Sequence, residues 1–110
     1  MAEKQPEVSI IAFYTLLALT EEIGANKIAQ KISEISNGRI VIKTGTLHSL
    51  LIRLESFEWV IETGQINGKT RMYKITELGR SILLDQHDQM LRAVLDSSCV
   101  ISDLLKKTPV

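Results

Sequence analysis

Lys69, Arg71 and Lys74 flank an Asn67-Gly68 pair, and His48, Ser49 and Arg53 stand on the leucine-striped segment before it. Lysine and arginine pair with phosphate oxygens, and an arginine can also hold a guanine edge through two parallel hydrogen bonds. Small polar residues on the outer side of a helix let its backbone come close to a groove. The chemistry these types and spacings suit is the gripping of a nucleic acid duplex. Two plainer uses stay open at this point: basic residues guarding an exposed strand edge, and an ordinary solvated helix face. Catalysis finds no support, because the chain has no nucleophile elbow, phosphate loop or paired-carboxylate motif. His48 and His87 have no cysteine or carboxylate at ligand spacing, so neither a metal nor another cofactor is expected.

Charge sorting sharpens the duplex reading. The 110 residues carry 13 basic and 13 acidic side chains, a formal net charge of zero. Residues 23–75 nevertheless hold eight of the basic ones (Lys27, Lys31, Arg39, Lys43, Arg53, Lys69, Arg71, Lys74) against four acidic ones. Attraction to phosphates follows local charge density, so this middle segment is the expected electrostatic footprint. A hydrophobic content of 45% allows one small core, marginal enough for self-association to be plausible. No run of about 18 apolar residues suits a membrane, and residues 1–6 lack the basic-then-apolar order of a secretory signal. A soluble cytoplasmic protein is expected. Cys99 is the only cysteine, which leaves no internal disulfide and predicts a small packing residue.

The elements that must position these side chains follow from periodicity. A first helix is expected from Pro6 or Glu7 to about Glu22, with Val8, Ile11, Ala12, Thr15, Leu16 and Leu19 as its buried stripe. Asn26 is expected to cap a second helix reaching about Ser36, with Ile28, Ile32 and Ile35 on one face and Asn37-Gly38 ending it. Residues 39–42 read as a short edge strand. Thr44 is expected to cap a third helix whose Leu47, Leu50, Leu51, Leu54 and Phe57 face inward. That leaves His48, Ser49, Ile52, Arg53 and Ser56 turned outward. Residues 59–65 and 70–75 concentrate β-formers around Asn67-Gly68, the strongest short-range hairpin signal. Trp59 is expected in the core beneath that hairpin.

The order helix, helix, strand, helix, wing and long C-terminal helix describes a winged helix-turn-helix, mostly α with a small β-wing. The chain resembles the PadR-like family of transcriptional regulators. The resemblance rests on Phe13-Tyr14-Thr15-Leu16-Leu17-Ala18-Leu19 and Lys27-Ile28-Ala29-Gln30-Lys31-Ile32. It is strongest in Gly45-Thr46-Leu47-His48-Ser49-Leu50-Leu51-Ile52-Arg53-Leu54-Glu55 and returns in Arg71-Met72-Tyr73-Lys74-Ile75-Thr76-Glu77-Leu78-Gly79-Arg80. It implies a dimeric regulator, a repressor or an activator, whose third helix and wing contact operator DNA. Relatives often carry tyrosine where His48 stands, proline at Ser49, a basic residue at Ile52, Gly-Tyr at Ala25-Asn26, glycine at Glu58 and tyrosine at Met72. The expected contacts are Thr46, His48, Ser49 and Arg53 near base edges. Lys43, Lys69, Arg71 and Lys74 are expected on phosphates, with Asn26, Lys27 and Thr44 completing the DNA-facing set. Because some relatives bind aromatic or drug-like molecules, a small-molecule effector is a further expectation of the resemblance.

Residues 76–107 read as one helix capped by Thr76, about 30 residues and on the order of 45 Å long. Leu83, His87, Met90, Val94, Ser97, Ile101 and Leu104 recur in four- and three-residue steps, and Leu84, Leu91 and Leu95 widen the stripe. A helix folded back on its own domain would cover part of it; the same helix of a second chain would cover all of it. The expected organisation is therefore a DNA-binding unit over residues 1–76 and a dimerisation helix over 77–110. The favoured expectation is a homodimeric repressor on a palindromic operator. The alternative is a winged-helix protein-interaction module without DNA binding.

Overall fold

The computed structural model describes residues 6–107; the outer ends of the two expected units lie outside them. Helix α1 spans Ile10–Ala18 and not the longer stretch from Pro6, because Ser9 has extended backbone angles and its Oγ accepts the Ala12 amide at 3.1 Å. That side-chain cap is what starts the helix. It stops at Ala18, short of Glu22, with Leu19 as its C-cap. Phe13, unforeseen in the expected stripe, joins Ala12, Leu16 and Leu19 in the core.

A two-residue strand β1, Ile23–Gly24, leads directly into helix α2, Ala25–Ile35. Gly24 is therefore the N-cap, with no side-chain bond, and Asn26 lies inside the first turn instead of capping it. Ile28 and Ile32 are fully enclosed, whereas Ile35 is partly exposed. The end of α2 is a Schellman turn: Asn37 has φ 54°, and the Gly38 and Asn37 amides donate to the Ser33 and Glu34 carbonyls. The edge strand expected at residues 39–42 does not form. The Arg39 amide is taken by the Ser36 carbonyl and the Ile40 amide by Ser36 Oγ at 2.9 Å, so the segment bends and buries Ile42.

Helix α3, Thr44–Ser56, begins after Lys43, whose carbonyl accepts the Leu47 amide; Thr44 is its first residue and not its cap. Leu47, Leu51 and Leu54 are buried, and Leu50 and Phe57 are half-buried. A second Schellman turn ends it, with the Trp59 amide on the Leu54 carbonyl and the Glu58 amide on the Glu55 carbonyl. Glu58 occupies the left-handed position at φ 64°, where an L side chain is strained.

Strands β2, Val60–Ile66, and β3, Thr70–Ile75, form the hairpin. Asn67 and Gly68 both have positive φ, and the Lys69 amide donates to the Ile66 carbonyl. The sheet is antiparallel in the order β1-β3-β2, with a bulge between Glu62 and Gly64. Trp59 is buried, its ring 5.0 Å from that of Phe57.

Helix α4, Glu77–Lys107, is 31 residues long, about 46 Å. Thr76 caps it as expected: its Oγ1 accepts the Gly79 amide at 3.0 Å and donates to the Glu58 carbonyl at 2.6 Å. Ile82 and Leu83 close the chain's own core, so Leu83 does not belong to an uncovered stripe. Beyond Met90 the helix runs free of the domain, giving the molecule extents of 58 × 41 × 21 Å. Cys99 is exposed there instead of packed. Among the described residues no helix is long and apolar enough to cross a membrane.

Gly79 is the tightest contact in this arrangement, since a Cβ there would lie 2.0 Å from the Trp59 carbonyl oxygen and 2.8 Å from Ile75 Cγ1. Replacing glycine by alanine inside a helix ordinarily stabilises by about 1 kcal/mol. Gly79→Ala should instead destabilise by at least about 2 kcal/mol, because backbone cannot give way; the urea midpoint measures it. Glu58→Gly should do the opposite. Relief of about 1–2 kcal/mol of left-handed strain outweighs the roughly 0.5–1 kcal/mol of added chain entropy, so the same titration should show a gain of about 1 kcal/mol.

Candidate nucleic-acid interface

At 3.6 residues per turn, Gly45, Ser49, Ile52 and Ser56 form the ridge of α3 opposite Leu47, Leu51 and Leu54. All four ridge residues are exposed. The other expected contacts divide between the two flanks. On one, His48 shares a cleft of about 330 Å³ with Asn26 of α2 and with Lys69, Thr70, Arg71 and Tyr73 of the wing, floored by Ala25 and Leu51. On the other, Thr46, Ser49 and Arg53 line a groove of about 350 Å³ against Ser9, Ile11 and Leu50. Lys43 and Thr44 lie exposed at the N-terminal end of α3, where free amides favour anions.

Besides Lys43 and Thr44, two expected residues are not brought into either group. Lys27 lines a separate shallow groove with Gln30, Lys31 and Glu34 on the outer side of α2. Lys74 follows Tyr73 on β3, and successive side chains of a strand point to opposite faces. Arg71 and Tyr73 therefore face the cleft while Lys74, paired across the ladder with Ile61, leaves from the other side of the sheet.

Arg71 is held by groups the sequence pattern did not single out. Its guanidinium hydrogen-bonds the Tyr73 side chain and lies 3.9 Å from Glu62 Oε1. The Tyr73 bond first, and the Glu62 carboxylate second, raise its pKa above the usual arginine value. Tyr73 was legible in principle, because it stands two residues from Arg71 on one strand. Glu62 was not. Counting back from the turn by the register Ile66↔Thr70 and Gly64↔Met72 would pair Glu62 with Lys74, whereas the bulge shifts it opposite Tyr73. That one-residue slip puts the carboxylate on Arg71's face.

Among the described residues, no cluster of three histidine, cysteine, aspartate or glutamate side chains could hold a metal ion. The arrangement offers hydrogen-bond donors and fixed positive charge over two grooves that flank a low ridge. It can clamp a polyanion whose surface carries a protruding edge between two charged walls.

Comparison with known proteins agrees with the fold. A family model described as the transcriptional regulator PadR-like family matches residues 15–85. No curated protein sequence matches the chain. Among solved structures, a transcriptional regulator from Clostridium thermocellum superposes with a TM-score of 0.65 at 20% identity, covering 84% of this chain and 90% of the other. A PadR family transcription regulator from Clostridium difficile gives 0.62 at 19% identity, covering 81% and 97%. A protein from Thermoplasma acidophilum gives 0.64 at 23% identity, covering 91% and 94%.

Proposed function

The chain belongs to the PadR-like family of transcriptional regulators, and from that premise we propose that it acts as a homodimer which represses transcription by occupying a palindromic operator. The observation that carries the DNA-facing assignment is the convergence of His48 from α3 with Lys69 and Arg71 from the wing on one cleft. A cleft lined from a helix and a hairpin together fits a duplex, with the α3 ridge toward base edges and the wing along a phosphate backbone. Lys43 and Thr44 would add amide and side-chain contacts to phosphate at the start of α3. Arg53 and Thr46 would reach the opposite groove wall.

The dimer rests on the free part of α4. Leu91, Val94, Leu95 and Ile101 are each about half exposed or more, and Leu84, on the part of the helix still against the domain, is 63% exposed. Apolar surface of that extent on a soluble helix calls for a cover, and an identical helix supplies a self-complementary one. Met90 and His87 would lie near the start of that seam. Two copies joined along α4 would present two α3 ridges to one side, suited to half-sites about 34 Å apart. Repression by occupancy requires nothing beyond this dimer and its two interfaces.

Three substitutions test the reading. Arg71→Ala should weaken binding to specific and unrelated duplexes alike and lower the slope of log affinity against log salt by about one unit. Lys74→Ala, on the other face of the sheet, should change the slope less; equal slopes for wild type and Arg71→Ala would remove the wing from the interface. Leu95→Glu should shift the protein from dimer to monomer in sedimentation and reduce affinity for a two-fold symmetric duplex more than tenfold, with helical content retained. A Leu95→Glu variant that stays dimeric would refute the α4 seam.

A further inference from the structure

Ile52 stands in the middle of the α3 ridge with 54% of its surface exposed. The core beneath α3 is complete without it, since Leu47, Leu51 and Leu54 fill the opposite side. A β-branched residue in an exposed helix interior adds nothing to helix stability and leaves apolar surface in water. Its neighbours on the ridge are all small. Gly45 has open space where a Cβ would be, Ser49 is one turn before, and Ser56 one turn after turns its hydroxyl back onto the Arg53 carbonyl at 2.6 Å. Ile52 is therefore the one large apolar side chain on that ridge, rising from a low floor between flanks that carry His48 on one side and Arg53 on the other.

A major groove presents donors and acceptors on every base pair but one kind of apolar group, the 5-methyl of thymine. The hydroxyl of Ser49 can bond several bases and discriminates weakly. We propose that Ile52 is a specificity-determining residue that packs on a thymine 5-methyl in each half-site. This rests on the reading of the α3 ridge as the face toward base edges. The low neighbours let the helix sink far enough for contact, and Lys43 at the start of α3 would hold a phosphate. The side chain selects A·T over G·C at one position by covering a methyl that cytosine lacks.

The test uses the full chain and the duplexes it enriches from a random-sequence library. Each thymine of an enriched duplex is replaced in turn by deoxyuridine, which removes the methyl and keeps the hydrogen-bonding edge. At one thymine per half-site the wild type should lose about fourfold in affinity, the worth of roughly one methylene-sized group withdrawn from water. Ile52→Ala should bind the two duplexes equally, with unchanged helical content, and Ile52→Val should keep the preference. Affinity indifferent to every thymine replacement, or an Ile52→Ala protein still sensitive at the same thymine, overturns the assignment while the DNA-facing reading stands. Failure to enrich any duplex overturns that reading as well as this one.

Discussion

Three working parts of the molecule meet at one point of backbone contact. The carbonyl of Trp59 accepts the Thr76 amide, and Gly79 passes so close that no side chain fits between helix and strand. Thr76 Oγ1 ties the same junction to the Glu58 carbonyl at the end of α3 while capping α4. The end of α3, the first residue before the wing and the first turn of the long helix are thereby locked in mutual orientation. Side-chain packing alone would allow such elements to rock; backbone against backbone does not. Any function that depends on the separation of two α3 helices in a dimer inherits its geometry from this junction. The strain at Glu58 sits in the same turn, between α3 and Trp59.

The second organising feature is electrostatic. A chain of zero net charge still makes a cationic face, because the fold gathers Lys69 and Arg71 from the wing beside His48 and leaves most carboxylates elsewhere. Glu62 is the exception. It sits 3.9 Å from Arg71, and Tyr73 neighbours the same guanidinium. The pair is largely solvent-exposed and contributes little to stability. Its effect is positional: a guanidinium kept over the cleft loses less side-chain freedom on meeting a phosphate than a free one would.

Much of this was legible in the order of residues. Leucines at helical spacing over residues 44–57, Asn67-Gly68 between two β-rich runs and Thr76 before a long apolar periodicity each act within a few residues, and each element formed where expected. Errors fell where competing partners were close in energy. Ser9 displaced Pro6 as the start of α1 because its hydroxyl had an amide to accept, and Ser36 drew the amides that residues 39–42 needed to become a strand. The third strand arose at Ile23–Gly24 because the exposed edge of β3 was there to receive it, an edge that exists only after the hairpin folds.

The candidate interface divides the same way. Which side chains stand outward on α3, and that a positive hairpin follows it, are consequences of the 3.6-residue turn and of turn chemistry, both local and both readable from residue order. Which of them share a cleft was decided by tertiary structure. Strand alternation after docking sent Lys74 away from Arg71, the bulge at Glu62 moved a carboxylate to Arg71's side, and packing of α2 left Lys27 on another surface. A periodicity names the face of an element. Only the packing of one element on another determines what that face meets, because register shifts and close approaches depend on groups far apart in the chain.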